Sequence, residues 1–134
     1  MPHYLFRGQW KDASTKAMTD TPQDRTEPAR EVVDGFGGKL LCYYFAFGDT
    51  DGIAICEFPD NASVAAFSLK ASSSGAFARF ETTPLLTAEE AQSAMQRVKT
   101  SNVKYRPPAR NPRRAAPQYD AQHRAARNTL GAGE

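Results

Sequence analysis

The stretch from Lys39 to Phe58, KLLCYYFAFGDTDGIAICEF, reads as two strands joined by a tight turn. Leu40 to Phe47 and Ile53 to Phe58 form the strands. GDTDG between them supplies Gly and Asp, which tolerate the positive φ of hairpin turns. Side chains alternate across a strand. Leu41, Tyr43, Phe45 and Phe47 then point one way, and Leu40, Cys42, Tyr44 and Ala46 the other. The second strand divides into Ile53 and Ile55 against Ala54, Cys56 and Phe58. Both faces are apolar, whereas a sheet with one wet face alternates with polar residues. One layer of helices covers one face only, so the other needs a cover of its own.

Outward from the hairpin, each flank adds a recognisable element. HYLFRGQW, His3 to Trp10, is a first strand rich in aromatic residues. ASTKAM offers a helical turn or two. Thr21-Pro22 resembles an N-cap followed by proline at the first helical position. Ala29, Val32, Val33 and Phe36 then recur at helical spacing, with a kink expected at Pro28 and an end at Gly37-Gly38. On the other side Asp60 caps a helix running to about Ser74, and Gly75 closes it. AFARFETTPL is a fourth strand, with Phe77, Arg79, Glu81 and Thr83 on one face and Ala78, Phe80 and Thr82 on the other. Thr87 and Glu90 have capping-box spacing for a last helix over Ala88 to Lys99. The order β-α-β-β-α-β plus a terminal helix is the ferredoxin-like α+β pattern, whose two long helices lie on one side of an antiparallel sheet.

The chain has 134 residues, of which 40% are hydrophobic and 24% charged, values of a soluble globular protein with one ordinary domain. No apolar run approaches the ~20 residues needed to span a bilayer, so no membrane partner is expected. The start lacks the layout of a secretory signal, which makes the cytoplasm the expected location. Cys42 and Cys56 belong to no C-x-x-C motif, and His3 and His123 are far apart. No metal site or cofactor is therefore expected, and the cysteines read as free thiols that pack as small hydrophobes. Residues 1–99 carry 10 Lys and Arg against 13 Asp and Glu, while 100–134 carry 7 against 2. A mildly acidic domain, 1–99, is thus followed by a basic Pro/Arg-rich tail, 100–134, expected to be extended or disordered.

An open face as apolar as this one exceeds the ~300–600 Å² patch usual for monomers. The tail is too polar to cover it, and one short terminal helix covers part at most. A second copy of the chain, related by a two-fold axis, is the simplest cover.

MPHYL, TPQDRTEPAREVVDGFGGKL, YYFAFGDTDGIAICEFPDNASVAAFSL and ARFETTPLLTAEEA, in that order, make residues 1 to about 99 resemble the GYD domain family. Its motif at the hairpin turn is a glycine, a variable residue, a tyrosine and an aspartate. Gly48 and Asp51 match it, and Thr50 stands where the tyrosine falls. The resemblance implies small bacterial proteins of the dimeric α/β-barrel fold, a homodimer, and no assigned activity. Wider relatives of that fold include cofactor-free monooxygenases, isomerases, haem enzymes and ligand sensors.

Candidate ligand residues follow from the strand faces. Arg79 and Glu81 lie two apart on one strand, so both project into the same space, either gripping a polar ligand or pairing with each other. Tyr43 and Tyr44 point to opposite faces, so one of them can line a pocket. Asp51 is either a base at the barrel mouth or a cap on turn N–H groups. His3 is either a proton shuttle or a surface residue. The function expected is a homodimer that binds a small, partly apolar molecule between its two sheets. Alternatives are cofactor-independent monooxygenase or isomerase chemistry there, or an adaptor whose basic stretch, 104–127, docks on an acidic partner or nucleic acid.

Overall fold

The computed structural model describes residues 1–109. Their elements are β1 (His3–Trp10), α1 (Asp12–Asp20), α2 (Thr26–Gly35), β2 (Lys39–Phe45), β3 (Gly52–Glu57), α3 (Asn61–Ser73), β4 (Phe77–Leu85) and α4 (Ala88–Thr100). The strands form one antiparallel sheet in the order β2-β3-β1-β4. This is the ferredoxin-like α+β arrangement with a terminal helix that the hairpin and its flanks implied. Met1–Lys99 makes one compact unit. Residues 101–109 hold neither helix nor strand and are exposed. His123, most of the basic stretch 104–127 and the final NTLGAGE lie outside the described residues.

The β1–β2 crossover contains two helices where the sequence suggested one and a fragment. Lys16 and Asp20 pair at 2.6 Å one turn apart on α1. Thr21 is the C-cap of α1, so Thr21-Pro22 ends a helix and does not begin one. The next helix starts at Thr26, whose N–H donates to Asp24 Oδ1 at 2.8 Å. Pro28 is consequently the third residue of α2. Backbone N–H groups in a first turn have no intrahelical acceptor, so its missing donor breaks nothing and the expected kink is absent. At the other end Gly37 N–H donates to Asp34 O and Gly38 N–H to Val33 O, both at 3.0 Å. This Schellman pair needs φ of +79° at Gly37, a conformation glycine reaches at little cost. Asp60 caps α3 through Ser63 N–H at 2.8 Å, and Thr87 and Glu90 form the anticipated reciprocal box.

Two bulges set the faces of the sheet. Leu40 pairs with Cys56, but the next paired residue, Cys42, faces Ile55. One residue too many in β2 inverts the alternation beyond it. Leu40, Tyr43 and Phe45 therefore share a face with Cys56, Ala54 and Gly52, while Cys42 and Tyr44 lie with Ile55 and Ile53. The second irregularity falls between Gln9 and Trp10, which face Arg79 and Phe77 respectively. Phe77 thus joins Phe80 and Trp10 on the helix side, away from Arg79. Strict alternation in the sequence placed Phe77 with Arg79 and Tyr43 opposite Leu40. Both assignments are corrected here.

On the helix side, α2 packs over β2 and α3 over β4, the two edge strands. Tyr4, Phe6 and Cys56 from the sheet and Phe58 just beyond β3 meet Val33, Val64 and Phe67 from the helices in a buried core. Phe6 contacts Phe67 edge to face at 4.8 Å, and the Tyr4 hydroxyl donates to Asn61 Oδ1 at 2.8 Å. The opposite side of the sheet carries Leu5, Ile53, Ile55, Cys42 and Leu85 at partial exposure, and Tyr44 at 65%. It is apolar at its centre, as the hairpin indicated.

Candidate functional site

The core fills only one end of the space beneath the helices. Along β1 the helix-facing residues run Tyr4, Phe6, Gly8, Trp10, and opposite them on β3 stand Cys56, Ala54 and Gly52. Where Gly8 faces Gly52, neither strand contributes a side chain. Phe77 lies over Gly8, since a Cβ there would come 2.7 Å from its ring. Above Gly52 nothing lies within 4 Å of the position a Cβ would take. The result is a cavity of about 270 Å³ between the sheet and the two helices.

Its floor is Phe6, Gly8, Gly52 and Ala54, and its far wall is the aromatic group Trp10, Phe77 and Phe80. Trp10 stacks on Phe77 at 4.4 Å, and Phe77 leans on Phe80 at 5.0 Å. The helices contribute Pro28, Ala29 and Val32 from α2 and Phe67, Ala71 and the C-cap Ser74 from α3. Pro28, Ala29, Val32, Ala71 and Ser74 are small and roof the cavity without filling it, while Phe67, from the middle of α3, belongs to the adjoining core. Leu40 and Tyr43 close the β2 side, and Arg25 and Lys70 complete the lining.

The titratable groups of this lining are held neutral at ordinary pH, save the two cations. Burial pushes the Tyr43 phenol above its usual range, a shift that Arg25 opposes and Asp24 reinforces. Burial likewise pushes the Cys56 thiol up to about 12, with Cys42 adding to it. Tyr43 therefore presents a hydroxyl and Cys56 an inert thiol.

Asp51 anchors the wall. Its carboxylate Oδ2 accepts from Trp10 N–H at 3.0 Å, its own N–H donates to Gly8 O at 2.9 Å, and its carbonyl accepts from Ala46 N–H at 2.8 Å. The hairpin turn is thereby tied to the end of β1 at the point where Trp10 leaves the sheet. Gly48 in the same turn has φ of +139°, and Thr50 is half-buried beside it.

The other residues singled out in the sequence sit elsewhere. Arg79 and Glu81 are on the opposite side of the sheet, where Glu81 accepts from Arg79 Nε and from Arg7 Nη2, each at 3.1 Å. Tyr44 shares that side. At its other end His3 Nε2 lies 3.2 Å from Glu57 Oε1. Of the candidate ligand residues only Tyr43 lines the cavity, and Asp51 supports it from behind. Trp10, Arg25 and Lys70 escaped the sequence reading. The available signal was Gly8 and Gly52, since an isolated glycine inside a strand marks space or close approach. No group of three or more potential metal ligands occurs among the described residues, and no helix there is long and apolar enough to cross a membrane.

Comparison with solved structures returns the crystal structure of MtbAldR, at 14% identity and a TM-score of 0.50. The match covers 64% of this chain and 53% of that one, so this chain corresponds to about half of MtbAldR. At such identity the likeness speaks for the fold alone. No curated protein matches. The GYD domain model, by contrast, matches residues 4–95. That span runs from β1 into α4 and takes in the whole sheet, the hairpin turn with Gly48 and Asp51, and both helices over the cavity. The chain belongs to the GYD domain family.

Proposed function

We propose that the protein is a homodimer joined through the open face of its sheet, and that each protomer binds one small, largely apolar molecule in the cavity on the helix side. The single observation carrying this reading is the cavity itself. The chain places two glycines opposite each other beneath two helices; Phe77 lies over Gly8, and the space above Gly52, where an ordinary strand residue would fill the core, is open. Its volume lies just below the ~300–1,000 Å³ of pockets for drug-sized ligands, which suits a smaller molecule. The space between two sheets, favoured by the sequence, needs a second copy to exist, whereas this cavity is complete within one chain.

The dimer is supported by the apolar centre of the open face and by α4. Met95 and Val98, one helical turn apart on α4, are 69% and 76% exposed.

The cavity is tested with 3-phenylpropanamide, a neutral single-ring probe, by calorimetric titration. The wild-type chain should bind one probe per protomer and change the emission of Trp10, its sole tryptophan. Gly52→Leu should fold with stability held or raised by about 0.5–2 kcal/mol, because the side chain enters empty space, and should lose binding. Wild-type affinity in Gly52→Leu would place the ligand elsewhere.

A further inference from the structure

The charge around the cavity is one-sided. Among the described residues its lining includes Arg25 and Lys70 but no Asp or Glu. Arg25, at the N-cap of α2, donates to the side-chain oxygen of Gln23 at 3.0 Å. Lys70, in the last turn of α3, makes no ion pair among the described residues. The nearby carboxylate of Asp24 is engaged by Thr26 N–H at 2.8 Å. A domain with more acidic than basic residues thus has two basic residues, one capping α2 and one on α3, in the lining of an otherwise apolar cavity.

The walls add a second constraint. Five aromatic residues, Phe6, Trp10, Phe67, Phe77 and Phe80, line the cavity, and aromatic surfaces pack well against another planar ring. A cavity of about 150 Å³ holds benzene. The 270 Å³ here leaves room for one ring and a short arm.

We infer that the cavity selects a small aromatic carboxylate, its ring among Phe6, Trp10, Phe77 and Phe80 and its acid group at Arg25 and Lys70. This rests on the cavity being the binding site and adds the class of ligand. A carboxylate at Arg25 and Lys70 gains charge-assisted hydrogen bonds that a neutral amide of the same shape does not.

The test compares 3-phenylpropionate with 3-phenylpropanamide by calorimetry in low salt, using wild type and Arg25→Gln/Lys70→Gln. The expected result is about tenfold tighter binding of the carboxylate by wild type, given the modest worth of partly exposed ion pairs. The double variant should lose that preference, and a urea midpoint and far-UV spectrum like those of wild type show that it is folded. Equal wild-type affinities, or a preference for the amide, would overturn the inference and leave the cavity reading intact. A preference that survives in the double variant would overturn the assignment to Arg25 and Lys70. Failure of both probes to bind wild type would take down the cavity reading and the inference with it.

Discussion

At Cys56 the fold holds a proton that the unfolded chain gives up. The thiol is fully buried on the helix side of β3, and burial raises its pKa to about 12, against about 8.5 for a free thiol. Above pH 8.5 the unfolded state therefore binds fewer protons than the native state, and stability falls as pH rises. Its contribution is complete below about pH 8.5 and is lost progressively up to about pH 12. Urea midpoints recorded from pH 7.5 to 10.5 should decline, and less steeply in Cys56→Ala than in wild type. Parallel slopes would show that the thiol is not the group responsible. The cysteines were readable as packing residues, since apolar neighbours on both sides in a strand leave a thiol little else to do. The cavity residues were not, because Arg25 and Lys70 come from helices whose roll over the sheet depends on packing that no local pattern encodes.

Between residue and fold, the hairpin and β1 act as one piece through Asp51. Removing its carboxylate strands the Trp10 N–H at a partly buried strand end, and a hydrogen bond to a charged group contributes about 1.5–3 kcal/mol. Asp51→Ala is expected to lose that much in urea unfolding and to shift Trp10 emission. Asp51→Asn, which keeps an acceptor oxygen, should recover most of it. Loss of equal size in both variants would mean that charge elsewhere in the turn matters more than this bond. The elements themselves were legible: capping residues, turn glycines and apolar periodicity marked them to within a few residues. The faces of β2 and β4 were not. A bulge inserts one residue and exchanges the two faces beyond it. In a strand apolar on both sides there is no polar residue to betray the exchange, so Tyr43 and Phe77 were placed wrongly relative to Leu40 and Arg79. At Pro28 the error was of another kind, a helix begun too early by the cap-like Thr21-Pro22.

For the molecule as a whole, the sheet has two unlike faces. Its open face, with Leu5, Ile55 and Cys42 at the centre, is the surface we assign to the second copy. Its helix side holds the cavity. Ile55→Lys, which places a charge in that apolar centre, should convert a dimer at micromolar concentration into a monomer in sedimentation equilibrium while leaving the core beneath the helices intact. A wild-type chain that sediments as a monomer would remove the dimer without touching the cavity. The ferredoxin-like topology was legible because a doubly apolar hairpin admits few layer arrangements. The cavity on the helix side was not, since it opens where Gly8 and Gly52 meet across β1 and β3. The most direct measurement is therefore a methyl NMR titration with 3-phenylpropionate. The methyl signals of Ala29, Val32, Ala54 and Ala71 should move, while those of Leu5, Ile55 and Leu85 stay in place. Movement confined to Leu5, Ile55 and Leu85 would put the ligand on the open face and contradict the account.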